Sequence, residues 1–248
     1  MKAEMQGGLA VKKAAGLEYL EKQPDSGVVR KLAVLLHGYG RDASLMQKLA
    51  DELSLRVPDM LVVMPHGGEP YENPAFDTDM VLPVPQQLQG DDADGLEVTL
   101  RRQWFSIRQK TLADMTVGLH HATAQVNDLL SELLRAYDLA DQDAALMGFS
   151  QGGVVALYSA YRRTQGVACV VGHSCLFMGG DDFKSLPPTL YLYGLVDEEF
   201  SPERYNREAE TLKSYVKDAV IRPVEDLRHT TTAHSRQIVA DYMARHLS

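Results

Sequence analysis

The sequence predicts an α/β fold with a mainly parallel central sheet and helices on both of its faces. Segments of strand type alternate with segments of helical spacing along the chain, an order typical of βα units. Three short runs, 32–36, 61–64 and 144–147, contain only apolar residues. Strands buried on both faces have this composition, because helices cover each side of a parallel sheet.

Apolar runs and the turn residues that bound them predict seven strands. The first precedes a Pro-Asp-Ser-Gly turn at 24–27 and is expected at an edge of the sheet, and the third ends in a Pro-His-Gly-Gly turn at 65–68. The predicted strands are 17–20, 32–36, 61–64, 144–147, 167–171, 189–193 and 219–224.

Helical spacing of apolar residues predicts five helices between these strands. The first has Ser44 as its expected N-cap, and the second places Leu130, Leu133 and Leu134 on one face. The predicted helices are 44–55, 112–137, 154–161, 202–217 and 235–248.

One domain is expected over residues 1–248, since the composition does not shift and no internal repeat is visible. The helix and strand patterns stop between residues 69 and 102. This segment contains four prolines and the acidic run DDADG at 91–95. A long irregular loop in a compact domain is usually functional, so 69–102 is interpreted as a lid-like insertion.

Charge and composition argue against several classes of partner. The formal net charge is −9, from 34 acidic and 25 basic residues. Nucleic acids and anionic membranes require a basic surface, so neither is an expected partner. No run approaches the ~18 apolar residues of a transmembrane helix, and no apolar segment of a secretory signal follows the N-terminus. With only two cysteines, Cys169 and Cys175, the protein is expected in the cytoplasm with both thiols reduced.

The sequence GFSQG at 148–152 is the pattern G-x-S-x-G, and it lies between a predicted strand and a predicted helix. In this context the serine occupies a tight turn that exposes its hydroxyl beside the N-terminus of the helix. Ser150 is therefore the candidate nucleophile of a serine hydrolase.

A serine hydroxyl needs a base, and the base needs an orienting carboxylate. In sheets of this type the partners follow in the order serine, acid, histidine. Asp197 follows the predicted strand 189–193 and is favoured as the acid over the adjacent Glu198 and Glu199. Two histidines compete for the base, and His234 is favoured over His229, because His229 is expected near the end of the last strand.

The turn HGYG at 37–40 follows a buried strand and is similar to the glycine-rich oxyanion loops of esterases. The backbone amides of Tyr39 and Gln151 are the expected oxyanion donors. His37 is expected to hydrogen-bond within the turn rather than to act as a base. No residue set has metal-ligand spacing, and no metal or other cofactor is expected.

At these motifs the chain resembles the phospholipase/carboxylesterase family of α/β-hydrolases, which includes acyl-protein thioesterases. LHGYG at 36–40 is similar to the family's LHGxG, and GFSQGG at 148–153 matches a family hexapeptide in full. The family's acid and base motifs resemble 193–202 and 233–235, although Tyr193 and Ala233 replace its usual His and Gly. The resemblance extends over 14–248 and implies the α/β-hydrolase fold.

The resemblance also suggests residues that contact substrate. Trp104 and Phe105 match the first two residues of the family's WFD motif, with Ser106 in place of the aspartate. The family keeps acyl-binding and lid residues in the region of 69–102. Leu82, within an apolar stretch of this region, is a candidate wall of an acyl-chain groove or a core residue.

These observations predict a carboxylesterase or acyl thioesterase that forms an acyl-enzyme on Ser150. Its expected partners are a small-molecule ester or thioester, or an acylated protein or lipid, and a second copy of the chain in a homodimer. Two alternatives stay open at this point: a non-catalytic ligand-binding protein on a hydrolase scaffold, and a serine peptidase.

Overall fold

The computed structural model describes residues 5–6, 9–72, 101–108, 112–177 and 179–248. A nine-stranded sheet lies at its centre, and a separate ribbon of two short strands lies beside it. The strands are β1 (Met5–Gln6), β2 (Leu9–Ala14), β3 (Leu17–Lys22), β4 (Lys31–Leu36), β5 (Met60–Pro65), β6 (Glu69–Pro70), β7 (Arg102–Gln103), β8 (Ala144–Phe149), β9 (Cys169–His173), β10 (Thr189–Gly194) and β11 (Val220–Val224). The helices are α1 (Gln47–Arg56), α2 (Leu112–Ala136), α3 (Gln151–Arg162), α4 (Pro202–Tyr215) and α5 (Ala233–Leu247).

The strand order in the large sheet is β1-β2-β3-β5-β4-β8-β9-β10-β11. The six strands from β5 to β11 in this order pair in parallel, and β1, β2 and β3 add an antiparallel edge. The α/β class and the mainly parallel sheet predicted from the sequence are therefore confirmed.

Alternate residues of the central strands enter two hydrophobic clusters, one on each face of the sheet. Val34 and Leu36 pack in the cluster that contains residues of α2, α3 and α4. Ala33 and Leu35 pack with residues of α1 and α5. Burial on both faces explains why the central strands are continuous apolar runs.

Two local predictions are wrong. The strand from Leu17 is not at the edge, because the turn at Ala15 and Gly16 pairs it with β2. Both turn residues have positive φ, 48° and 80°, as a two-residue hairpin turn requires. Ser44 is not an N-cap: it lies within a 3-10 helix, Ala43–Met46, that precedes α1, and the Asp42 carboxylate caps this 3-10 helix by accepting the Ser44 N–H at 2.9 Å.

The predicted insertion at 69–102 begins and ends in the β6–β7 ribbon, whose strands pair antiparallel. Residues 73–100, and with them Leu82, lie outside the described residues. The single domain remains a prediction. None of the helices described here combines the length and the apolar character that a membrane span requires.

Candidate active site

Ser150 lies in a sharp turn between β8 and α3. Its φ of 53° is unusual for a residue with a side chain. The turn is fixed on both sides, because the Ser150 N–H donates to the His173 carbonyl at 2.9 Å and the Ser150 carbonyl accepts the Gly153 N–H at 2.9 Å. Such strain, of order 1–3 kcal/mol, persists where surrounding contacts determine the backbone, often at functional sites.

Two glycines allow the strand, the serine turn and the helix to pack this closely. A Cβ on Gly148 would lie 2.0 Å from the Gly152 carbonyl oxygen. A Cβ on Gly152 would lie 2.4 Å from the His37 carbonyl oxygen. The glycines of G-x-S-x-G are therefore required by contact between backbones, as the sequence context predicted.

Asp197 lies in the loop after β10, with its side chain fully enclosed. One carboxylate oxygen, Oδ1, accepts the backbone N–H groups of Glu199 at 2.8 Å and Phe200 at 3.1 Å. The other, Oδ2, accepts the Tyr205 hydroxyl at 2.7 Å. Burial acts to raise the pKa of Asp197, but these bonds and the neighbouring imidazole of His229 outweigh it and leave the pKa lowered.

His229 connects this carboxylate to the serine. Its Nδ1 lies 2.8 Å from Asp197 Oδ2, and its Nε2 lies 2.9 Å from Ser150 Oγ. The imidazole ring is flanked by the rings of Phe149 and Phe200, with centroid separations of 5.1 Å and 5.8 Å. Only 14% of its side chain is exposed, so the ring is held in this orientation between the two partners.

The expected placement of His234 beside Ser150 is wrong. His234 is the second residue of α5 and lines a groove with Arg222 and Pro223 of β11. β11 ends at Val224, so the loop before α5 carries His229, rather than His234, to the carboxyl edge of the sheet. The structure thus brings together Ser150, Asp197 and His229.

The loops that carry Asp197 and His229 are joined through their backbones. The Leu195 N–H donates to the Val224 carbonyl at 2.9 Å, and the Val196 N–H donates to the Leu227 carbonyl at 3.3 Å. The His229 N–H also donates to the Glu198 carboxylate at 3.3 Å. These contacts set the separation of the carboxylate and the imidazole.

The glycine turn after β4 lies directly beside the serine. A Cβ built on Gly38 would be 3.4 Å from the Ser150 Cβ. Strands β4 and β8 are parallel neighbours with Leu36 opposite Gly148, so Tyr39 and Gln151 each follow by three residues at the same edge. Among the described residues, the amides of Tyr39 and Gln151 donate to no protein acceptor.

Side chains behind this turn hold it in place. His37 Nδ1 contacts the Gly38 carbonyl at 2.8 Å, and His37 Nε2 accepts the Gly67 N–H at 2.8 Å, as expected of a structural histidine. The Gln151 side chain accepts the Trp104 N–H at 2.8 Å and donates to the Phe105 carbonyl at 2.7 Å. The first pair of bonds holds the turn against Gly67, and the second links the start of α3 to residues 104 and 105.

Burial lowers the pKa of His37 from 6.5 to about 4. The unfolded chain takes up a proton below pH 6.5 while the folded protein does not, so the free energy of unfolding falls as the pH drops from about 6.5 toward 4. This difference corresponds to about 3 kcal/mol. Urea unfolding at several pH values is expected to show a shallower dependence for His37→Gln. The exposed-site control His121→Gln should keep the wild-type dependence, and equal slopes in all three proteins would contradict the assignment.

The expectation that Trp104 contacts substrate is not supported by its position. Its side chain is completely buried, and its Nε1–H donates to the His37 carbonyl at 2.8 Å. Phe105 is only 8% exposed and packs against Gly118 of α2. A buried indole N–H requires an acceptor, and the His37 carbonyl of the glycine turn supplies it. Trp104 therefore supports the turn from the protein interior.

Tyr205 was not identified by sequence reasoning. It lies on α4, is fully buried and stacks on Tyr193 at a centroid distance of 4.7 Å. The sequence shows that Tyr205 follows Asp197 by eight residues and lies in the first turns of a helix that begins at Pro202, after the N-cap Ser201. Nothing in the sequence shows that its hydroxyl turns toward the carboxylate.

A serine, an imidazole and a buried carboxylate in hydrogen-bonded series, at the carboxyl edge of a parallel sheet, can generate a nucleophile without a metal. In the portion of the chain described here, no three His, Cys, Asp or Glu side chains cluster at metal-binding distance. The fold and this site define an α/β hydrolase of the serine type.

The chain belongs to the phospholipase/carboxylesterase family, whose sequence model matches residues 19–247. Esterase YpfH of Escherichia coli K12 is 23% identical over 226 residues, which cover 91% of this chain and 86% of that protein. The predicted family and esterase-type enzyme class are confirmed.

Solved structures with the same fold include two named hydrolases. Esterase PE8 superposes with a TM-score of 0.75 at 21% identity, with 92% of this chain and 98% of that chain covered. Acyl-protein thioesterase 2 of Zea mays superposes with a TM-score of 0.65 at 19% identity, with 93% and 99% covered.

Proposed function

We propose that Ser150, His229 and Asp197 are a catalytic triad that hydrolyses carboxylic esters or thioesters. The observation that carries this proposal is the continuous hydrogen-bonded series from Ser150 Oγ through both ring nitrogens of His229 to Asp197. The names of its relatives, an esterase and an acyl-protein thioesterase, support the same reaction class.

In the first half-reaction His229 Nε2 takes the Ser150 proton as Oγ attacks the substrate carbonyl carbon. The amides of Tyr39 and Gln151 are the proposed donors to the oxyanion, since both lie at the edge of the sheet beside Ser150. His229 then protonates the departing alcohol or thiol. Asp197 holds the ring and stabilises its positive charge.

In the second half-reaction His229 takes a proton from water, which attacks the acyl-enzyme carbonyl. The carbon–oxygen bond to Ser150 breaks, and the proton returns to Oγ. The product acid leaves and the free enzyme is restored. The proposed substrates are small esters and thioesters, or lipids and proteins that carry an acyl chain in ester or thioester linkage.

Ser150→Ala is expected to abolish hydrolysis of p-nitrophenyl butyrate, with a loss of about 10³-fold or more in kcat/KM, because no other group supplies the nucleophile. A fluorophosphonate probe should label the wild-type protein and not this variant. Ser174→Ala is the matched control: Ser174 is buried, follows the neighbouring strand β9 and also has positive φ, 49°. Probe labelling of Ser150→Ala would exclude the mechanism, and an unlabelled wild type would favour a non-catalytic ligand-binding protein.

The location proposed for this enzyme is the cytoplasm. Its two cysteines, Cys169 and Cys175, are free and buried. Burial raises the pKa of the Cys169 thiol to about 12, so the thiol stays protonated at neutral pH.

A further inference from the structure

A pair of arginines lies beside the glycine turn that flanks Ser150. Arg41 follows this turn, and its backbone N–H donates to the Gly38 carbonyl at 3.3 Å. The Arg41 carbonyl accepts the Arg102 N–H at 3.0 Å, which brings β7 and the preceding residue, Arg101, alongside. Arg41 is two residues from Tyr39, so their Cα atoms are within about 8 Å of each other.

The Tyr71 ring contacts both the turn and Arg101. Its ring packs against Gly40, where a built Cβ would be 3.0 Å from Tyr71 Cε2, and edge-on to Tyr39 at a centroid distance of 5.1 Å. The Arg101 guanidinium lies over the same ring, 5.7 Å from its centroid. The exposed Arg101 side chain is thereby held on the Tyr71 ring.

Neither guanidinium has a carboxylate within 4 Å in the described ranges, although the chain has a net charge of −9. Burial lowers the pKa of Arg41, and the positive charge of Arg101 acts in the same direction, while Tyr71 and Asp42 act to raise it. Acids in this region have other partners: Asp42 accepts the Ser44 N–H, Glu72 accepts the Ser106 hydroxyl, and Glu18 lies 4.0 Å from Arg102.

Two guanidinium groups beside the glycine turn, neither with a carboxylate within 4 Å in the described ranges, offer an anion both positive charge and hydrogen-bond donors. We propose that Arg41 and Arg101 form a subsite for an anionic group, a carboxylate or a phosphate, carried by the ester or thioester substrate. This assignment rests on the proposed function of Ser150. It names the substrate class as acidic esters, whose charge lies a short distance from the scissile carbonyl.

The test compares matched esters in matched variants. The acyl-side pair is mono-p-nitrophenyl glutarate and neutral p-nitrophenyl pentanoate. The alcohol-side pair is 4-(phosphonooxy)phenyl pentanoate and phenyl pentanoate. The variants are Arg41→Gln, Arg101→Gln, and the control Arg30→Gln, which removes one exposed charge at the opposite, amino end of β4.

The ratio of kcat/KM for the anionic ester to that for its neutral partner is expected to fall about tenfold in Arg41→Gln and in Arg101→Gln, and to stay constant in Arg30→Gln. The pair that responds identifies the acyl or the alcohol side. Because Arg101 is exposed, its variant keeps the test valid if Arg41→Gln folds poorly. A ratio that is the same in all variants would overturn the subsite.

A binding measurement separates this inference from the proposed chemistry. Calorimetric titration of Ser150→Ala with each glutarate and pentanoate ester requires no turnover. Tighter binding of the anionic ester that is lost with Arg41→Gln and weakened by added salt supports the subsite even if the wild type hydrolyses neither ester. Equal binding of the two esters would overturn it even if hydrolysis by Ser150 is established.

Discussion

His229→Ala is expected to lower kcat/KM for p-nitrophenyl butyrate by about 10³-fold or more. The variant removes the imidazole that lies 2.9 Å from Ser150 Oγ, which is the proposed base for attack and the proposed acid for the leaving group. The measurement is steady-state hydrolysis at neutral pH, with circular dichroism and thermal unfolding to confirm the fold.

His234→Ala is the matched control for this experiment. His234 lies five residues further along and lines a groove beside β11, so its loss should change kcat/KM by less than about threefold. The two substitutions remove the same functional group from neighbouring positions. The reverse result, a large loss in His234→Ala with little effect of His229→Ala, would refute the proposed triad.

The choice between these histidines shows where sequence reasoning fails. The rule that the base lies on a loop ahead of the closing helix agrees with the position of His229. It selected His234 because the last strand was expected to extend toward His229 and the helix was expected to begin at Ser235. In the structure the helix begins at Ala233, and Thr232 caps it by accepting the Ser235 N–H. A shift of two residues in one boundary thus exchanged the assignments of the two histidines.

Features that depend on local chemistry were predictable. Apolar runs identified the central strands because both faces are buried. The glycines on either side of Ser150 identified a tight turn, because a side chain at Gly148 or Gly152 would collide with the backbone. Asp197 was predictable from its place after a buried strand. The chain order and spacing of these elements were sufficient to predict the fold class.

Features that depend on contacts between distant segments were not predictable. The indole of Trp104 turns inward to the His37 carbonyl, and this orientation is decided by packing between residues 67 positions apart. The hydroxyl of Tyr205 turns toward Asp197 for the same kind of reason. A single sequence records the residue type at such positions and not the direction of its side chain.

Asp197→Asn is expected to lower kcat by about 10⁴-fold, the scale known for this substitution in serine proteases. The reason lies in the two oxygens of the carboxylate. Oδ1 accepts two backbone N–H groups, from Glu199 and Phe200, so the amide oxygen of the asparagine takes this position and its NH₂ group occupies that of Oδ2. A donor then faces His229 Nδ1.

When a donor faces Nδ1, the neutral imidazole accepts the hydrogen bond with the Nδ1 lone pair, so its proton lies on Nε2. In that tautomer the nitrogen facing Ser150 Oγ carries a hydrogen and cannot accept the serine proton. The loss is therefore in the chemical step, and KM should change little. Nitrogen-15 NMR of the histidine rings is expected to show the proton on Nδ1 in the wild type and on Nε2 in the variant.

Tyr205→Phe separates this tautomer effect from a general weakening of the carboxylate. It removes one hydrogen bond to Oδ2, worth about 1.5–3 kcal/mol, but leaves an acceptor facing His229. We expect a loss in kcat of about 100-fold or less with the wild-type tautomer retained. Because the native carboxylate loses a partner, its pKa should rise, and acid unfolding should begin at higher pH than in the wild type.

If Asp197→Asn were no more damaging than Tyr205→Phe, or if its imidazole kept the proton on Nδ1, orientation of His229 by the carboxylate would not be the basis of catalysis.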